Sequence, residues 1–172
     1  SLVSVENSAL FNSANSEYLS LTWTAGNRLK WTFSTWFYRT KSGTTTSLLT
    51  GNAGASSYCD FRINTSNQIE FFNQSPSLDI HLVSTQLIRD IAWYNIVIVY
   101  DSAQGTAADR VTIYLNGAEV TSFGTATYPS ASLSAQMQTA TSHRIGWDGV
   151  GYLEGYVAES VFLDGVASTS PT

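Results

Sequence analysis

The chain has 172 residues, 43% of them hydrophobic and 13% aromatic, with a net charge of −5 and a pI near 4.8. Charged residues make up only 12%, about half of the roughly 25% of an ordinary soluble domain. With no Lys/Arg cluster there is no electrostatic footprint for nucleic acid or an anionic membrane surface, no apolar run nears the roughly 18 residues of a transmembrane helix, and a single cysteine excludes a disulfide framework or a Cys-based zinc cluster.

Neutral polarity takes the place of charge: 24 Ser and 20 Thr put a hydroxyl on 44 of the 172 residues. The length and apolar content suit one domain over residues 1–172, built on a single core. Few Lys and Glu argue against helices, whose exposed faces those residues usually coat. Position 1 is Ser and the only Met is Met137, so the chain reads as trimmed or cut from a longer protein.

Along the chain, the patterning is that of strands. In residues 31–38, Trp31, Phe33 and Phe37 fall on one side and Trp36 and Tyr38 on the other, which predicts a central strand covered on both faces. Turn signals follow at Lys41-Ser42-Gly43 and Gly51-Asn52-Ala53-Gly54. In residues 58–64, apolar Cys59, Phe61 and Ile63 alternate with Tyr58, Asp60, Arg62 and Asn64. Leu78, Ile80 and Leu82 alternate with Asp79 and His81, and residues 83–91 read as a single helical turn. Residues 94–100 are nearly continuously apolar, a second central strand. Val111, Ile113 and Leu115 alternate with polar neighbours up to Asn116-Gly117, a strong hairpin signal. Residues 102–108 and 122–140 read as connections, the second a long surface crossing with one short strand. About a dozen short strands at turn intervals predict an all-β, antiparallel two-sheet sandwich.

Three segments together resemble a known family. They are Phe11-Asn12 and Glu17-Tyr18-Leu19 followed by Trp31-Thr32-Phe33-Ser34-Thr35-Trp36-Phe37-Tyr38-Arg39; Trp93-Tyr94-Asn95-Ile96-Val97-Ile98-Val99-Tyr100-Asp101 with the strand ending in Asn116-Gly117; and Ile145-Gly146 with residues 155–165. Their order and spacing resemble laminin-G-like, concanavalin A-like jelly-roll domains, of the branch common in bacteriophage structural proteins. The resemblance implies two antiparallel jelly-roll sheets and frequent carbohydrate binding. It implies a place in tail fibres or capsid decorations, hence a virion-surface or extracellular location, and adhesion more often than catalysis.

Candidate sites divide by chemistry. The glycine-rich loop Gly146-Trp147-Asp148-Gly149-Val150-Gly151-Tyr152 offers Trp147 and Tyr152 to stack on a sugar and Asp148 to accept from hydroxyls. Asn73 and Tyr128 are further expected contributors, with Tyr58 and with Trp23, which is expected on an exposed loop. Glu154 and Glu159 match the outer carboxylates of the family's hydrolase motif Glu-x-Asp-x-x-Glu, but Tyr156 holds the Asp position. In a regular strand the two Glu point to opposite faces, and nothing in the sequence signals the bulge that would align them for hydrolysis. Glu159 is therefore expected to be a buried, partnered structural carboxylate, and no catalytic residue is assigned. Cys59 falls on an apolar face as a core thiol. The family often holds one calcium ion, and Asp101, Asp109, Asn116, Asp148 and Asp164 supply hard oxygens. No spacing gathers them into a ligand set, so neither a metal site nor a cofactor is assigned.

The expectation is a non-enzymatic surface module of a phage virion protein that binds host cell-surface glycan weakly and multivalently, beside other virion proteins. A trimer, as in fibres, fits that setting. The alternatives are a ligand-free capsid decoration or fibre spacer, and a glycoside hydrolase acting through Glu154 and Glu159.

Overall fold

The computed structural model describes residues 7–89 and 91–168. Its strands are β1 (Ala9–Phe11), β2 (Leu19–Thr22), β3 (Lys30–Arg39), β4 (Thr46–Gly54), β5 (Ser57–Ile63), β6 (Gln68–Gln74), β7 (Leu78–Leu87), β8 (Trp93–Asp101), β9 (Val111–Leu115), β10 (Ala118–Glu119), β11 (Phe123–Thr127), β12 (Ser142–Ile145) and β13 (Gly155–Asp164). Two antiparallel sheets form, with strand orders β1-β13-β3-β8-β9-β10 and β11-β7-β6-β5-β4-β12-β2. The only helical pieces among the described residues are two short 3₁₀ turns.

Side-chain alternation selects the faces. β3 and β8 lie side by side in the middle of the six-stranded sheet, in register from Lys30↔Asp101 to Tyr38↔Trp93. They turn Trp31, Phe33, Phe37, Ile96, Ile98 and Tyr100 inward. From the seven-stranded sheet Cys59, Phe61, Ile63, Ile69, Phe71, Ile80 and Leu82 face them, all fully buried. Trp31 joins the layers, stacked on Tyr100 at 5.3 Å and edge-on to Phe71 at 6.1 Å. The outer face of the six-stranded sheet is partly covered by the tail: the Thr32 hydroxyl donates to the Val166 carbonyl and accepts from the Ser168 amide. The Asn116-Gly117 hairpin forms as its sequence predicts, both residues at positive φ (50° and 79°), as a type I′ turn requires.

Two segments depart from expectation. Among residues 83–91, of which residue 90 lies outside the described residues, the described ones make no helical turn; β7 continues to Leu87, and its pairing with β6 jumps from Glu70↔Val83 to Gln68↔Leu87. The extra residues form a bulge, where the Ser84 hydroxyl accepts from the Ile69 amide and donates to the Gln86 carbonyl. The bulge breaks the alternation that marks a strand. Residues 122–140 are not wholly a surface crossing either, because Ala135, Gln136, Met137 and Gln138 are buried. Their polar backbone is satisfied from the fold: the amides of Ala135, Gln136 and Gln138 donate to the Arg28 carbonyl, Asn73 Oδ1 and His143 Nε2. Such pairing permits a loop to enter the interior.

Candidate functional site

The outer face of the seven-stranded sheet carries a cross-strand polar cluster. Register places Asp60 opposite Thr50 and Phe72, Arg62 opposite Glu70, and Phe72 opposite His81. Side chains paired in this way share a face. Arg62 is the hub: Nε donates to Glu70 (2.8 Å), and Nη1 reaches Asp60 Oδ2 and Asp148 Oδ2, both at 3.3 Å. Its guanidinium also lies 4.7 Å from the Phe72 ring centroid. Glu70 is bridged on its other oxygen by His81 Nε2 at 2.8 Å. Asp60 is 1% exposed and accepts from the Thr50 and Ser47 hydroxyls.

A loop forms the wall of this cluster. Trp147 and Tyr152 pair as an isolated antiparallel bridge, and Asp148 Oδ1 caps the turn between them by accepting from the Val150 and Gly151 amides. Asp148 Oδ2 then ties the loop to Arg62. Between loop and sheet lies a groove of about 440 Å³ lined by Thr50, Tyr58, Asp60, Arg62, Phe72, Asp148, Gly149 and Val150 among others. Tyr58 meets Phe72 edge-on at 5.5 Å, so ring surface and carboxylate oxygens border one concavity.

Burial sets the protonation of this site. Desolvation pushes Asp60 up to about 7 and the Asp148 charge adds to that, while Arg62 and the Thr50 and Ser47 hydroxyls oppose it. Burial also works to raise Glu70, but bonds from His81 and Arg62 outweigh it and hold that carboxyl below its usual range. The folded chain therefore keeps the Asp60 proton between pH 3.8 and about 7, where the unfolded chain loses it. Stability should fall as pH rises through that window, by up to about 4 kcal/mol. Asp60→Asn is expected to remove most of the decline in urea midpoint between pH 5 and pH 8. His143, held below its usual value by burial, works in the opposite sense but is common to both proteins, so the difference between them isolates Asp60. Equal pH slopes would refute this assignment.

The five residues singled out for carbohydrate do not converge. Trp147, Asp148 and Tyr152 come together in the loop, but the Trp147 ring already stacks on Tyr152 (5.6 Å, 7°), tilts against Tyr18 (4.8 Å) and carries the Arg144 guanidinium at 4.3 Å. Tyr128 follows the edge strand β11, across the sheet from β12, and packs edge-on to Phe123. Asn73 faces the interior, fully buried, where its Oδ1 accepts from the Gln136 amide at 2.6 Å; it anchors the crossing loop and has no surface for a ligand. Trp23 is not free on a loop: it stacks on His143 at 3.9 Å and packs against the core. Tyr58 does line the groove. Asp60, Arg62, Glu70 and Phe72 carry no signal beyond outward parity, because their meeting depends on strand register.

The two glutamates separate as well. Glu154 precedes β13, and its Oε2 accepts from both the amide and the hydroxyl of Ser13. A bulge does interrupt β13, between Ala158 and Val161. It puts Glu159 at φ 50° with its side chain exposed, so Glu159 is not the buried carboxylate its parity suggests: the bulge removes it from the alternation. The five hard-oxygen residues lie apart. Asp101 pairs with Lys30 (3.1 Å), Asn116 accepts from the Asn95 amide, Asp148 holds Arg62, Asp164 accepts from the Asn27 amide and Asp109 sits in a 3₁₀ turn. Among the described residues no three His, Cys, Asp or Glu are grouped for a metal ion.

Comparison with known proteins places this arrangement. Residues 12–170 match the laminin G model of the concanavalin A-like lectin/glucanases superfamily. The chain belongs to that family. No curated protein sequence matches this laminin-G-like chain. Among solved structures it is similar to domain 4 of an extracellular arabinanase from Geobacillus stearothermophilus in complex with arabinotriose, at 17% identity and TM-score 0.59, covering 84% of this chain and 64% of that one. It is also similar to the carbohydrate-binding module CBM40 of a Ruminococcus gnavus sialidase bound to sialyllactose (13% identity, TM-score 0.57, 89% and 94% covered). Mouse laminin α1 domains LG4-5 share the fold too, at 13% identity and TM-score 0.62, covering 93% of this chain and 41% of that one.

Proposed function

We propose that this laminin-G-like chain is a non-catalytic glycan-binding module whose ligand occupies the groove over Tyr58 and Phe72. The observation that carries the reading is the joining of aromatic surface to oxygen acceptors in one concavity. A sugar's C–H face packs on the Tyr58 ring while its hydroxyls donate to Asp148 at the groove wall. The Glu70 and Asp148 carboxylates and the Asp60 carboxyl surround the single Arg62 guanidinium, so no unpaired cation awaits a ligand carboxylate. That balance favours uncharged glycans over sialylated or uronic ones. The similarity to solved domains holding arabinotriose and sialyllactose supports the ligand class.

Shallow contacts of this kind correspond to millimolar single-site affinity, about −4 kcal/mol. Display in many copies would raise it by avidity. The setting we propose is an extracellular surface such as that of a phage virion, which a hydroxyl-rich, charge-poor exterior suits. The reading is tested by titrating neutral and sialylated oligosaccharides into the chain and its Tyr58→Ala variant. A neutral glycan should bind, and Tyr58→Ala should weaken it by about tenfold, from the lost ring contact. Binding confined to acidic glycans, or unchanged in the variant, would contradict the proposal.

A further inference from the structure

The opposite outer face carries a second ring cluster that the groove does not use. Tyr156 of β13, Tyr38 of β3 and Trp93 of β8 stand in one cross-strand row, since Tyr38 pairs with Tyr156 on one side and with Trp93 on the other. Their rings touch pairwise: Tyr38–Trp93 at 5.7 Å, Tyr38–Tyr156 at 6.0 Å and Trp93–Tyr156 at 6.4 Å. All three are half-buried. With Ser8 and Thr40 they line a depression of about 440 Å³, room for more than one sugar ring at the roughly 300 Å³ lower bound of small-molecule sites.

Two features select the occupant. No charged side chain is among the described lining residues, so a charged ligand would be desolvated there without a counter-ion. The Tyr38 and Tyr156 hydroxyls and the Trp93 indole N–H find no partner among the described residues, so polar groups stand at the edges of the rings. An uncharged, hydroxyl-rich ligand with an apolar face complements both properties. The neighbouring outward positions mix Ser34, Asn95 and Thr112 with Trp36, Val97 and Val161, so the ligand is selected by the ring row and its polar edges rather than by the surrounding sheet.

We infer that Tyr38, Trp93 and Tyr156 form a second glycan-binding platform, specific for neutral saccharides, on the face of the sandwich opposite the groove. The inference shares its ligand class with the proposed function but none of its residues. The module then has two sites facing away from each other and can bridge two glycan chains instead of gripping one.

The test follows the Trp93 indole N–H in two-dimensional NMR, assigned through Trp93→Phe, while cellohexaose, arabinohexaose and galactohexaose are titrated to about 10 mM, a range that saturates millimolar sites. At least one should shift the Trp93 resonance, and Trp93→Ala should weaken that binding event about tenfold while leaving the Tyr58-dependent event in place. Tyr156→Phe serves as a second variant, removing one hydroxyl without a ring, and should weaken binding by a smaller factor. If Trp93→Ala does not fold, the wild-type indole shift still decides. A Trp93 resonance unmoved by all three sugars would overturn the inference, as would one that moves with protein concentration alone. In the parent protein, a Trp93 resonance that never shifts while the groove binds refutes only this platform, and a shift at Trp93 with no Tyr58-dependent binding refutes only the groove.

Discussion

Gly155→Ala is expected to cost the fold at least about 3 kcal/mol, one of the largest losses available from a single added methyl group. Gly155 opens β13 at φ 144°, a conformation open to glycine and strained for other residues. A Cβ there would lie 2.0 Å from the Tyr38 carbonyl oxygen and 3.3 Å from Arg39 Cα, both backbone. The chain cannot yield locally, because Gly155 is paired with Arg39 on one side and Phe11 on the other. Relief requires β13 to peel from β3, the central strand of its sheet. The midpoint of thermal unfolding should fall by roughly 6–12 °C, at about 2–4 °C per kcal/mol for a chain of this length. A variant within about 1 kcal/mol of the parent would show that this approach is not structural.

Arg62→Ala should destabilise by a similar amount, about 3–5 kcal/mol, for an electrostatic reason. The substitution leaves the Glu70 carboxylate, 8% exposed and ionised, without its guanidinium donor, and removes the cation that stands between Asp60 and Asp148. It also frees the loop that Asp148 tethers to the sheet, so hydrogen exchange at the Val150 and Gly151 amides should accelerate beyond the global change. Arg62→Lys should rescue little, because a single ammonium cannot reproduce the fork that reaches Glu70, Asp60 and Asp148 at once. Urea unfolding at pH 7 measures the first effect. A loss below about 1 kcal/mol would mean that the carboxylates are relieved by proton uptake instead.

The strands were legible where the pattern is local. Residues 31–38, 58–64 and 94–100 announce themselves by parity, and Asn116-Gly117 by turn chemistry. The irregular pieces were not: the Ser84–Gln86 bulge in β7 and the Glu159 bulge in β13 look like polar interruptions until their partner strands are known. Residues 135–138 look like surface because Ala and Gln are small or polar, yet Arg28, Asn73 and His143 draw them inward by accepting hydrogen bonds from their amides. The site divides the same way. The 147–152 loop and Tyr58 can be picked out as glycine-rich or aromatic in sequence, whereas Arg62 meets Glu70 and Phe72 only through sheet register and Asp148 only through the fold of the loop over the sheet. Trp147 and Tyr152 stand out in the sequence as two rings able to stack on a sugar, but their bridge stacks each on the other.

The most direct test of glycan binding in the groove is a crystal structure of the chain with a bound neutral oligosaccharide. A sugar ring should lie against Tyr58 in the groove, with hydroxyls within hydrogen-bond reach of Asp148. A saccharide ordered elsewhere on the molecule while the groove holds only water, or a groove that accepts only carboxylated sugars, would contradict the account.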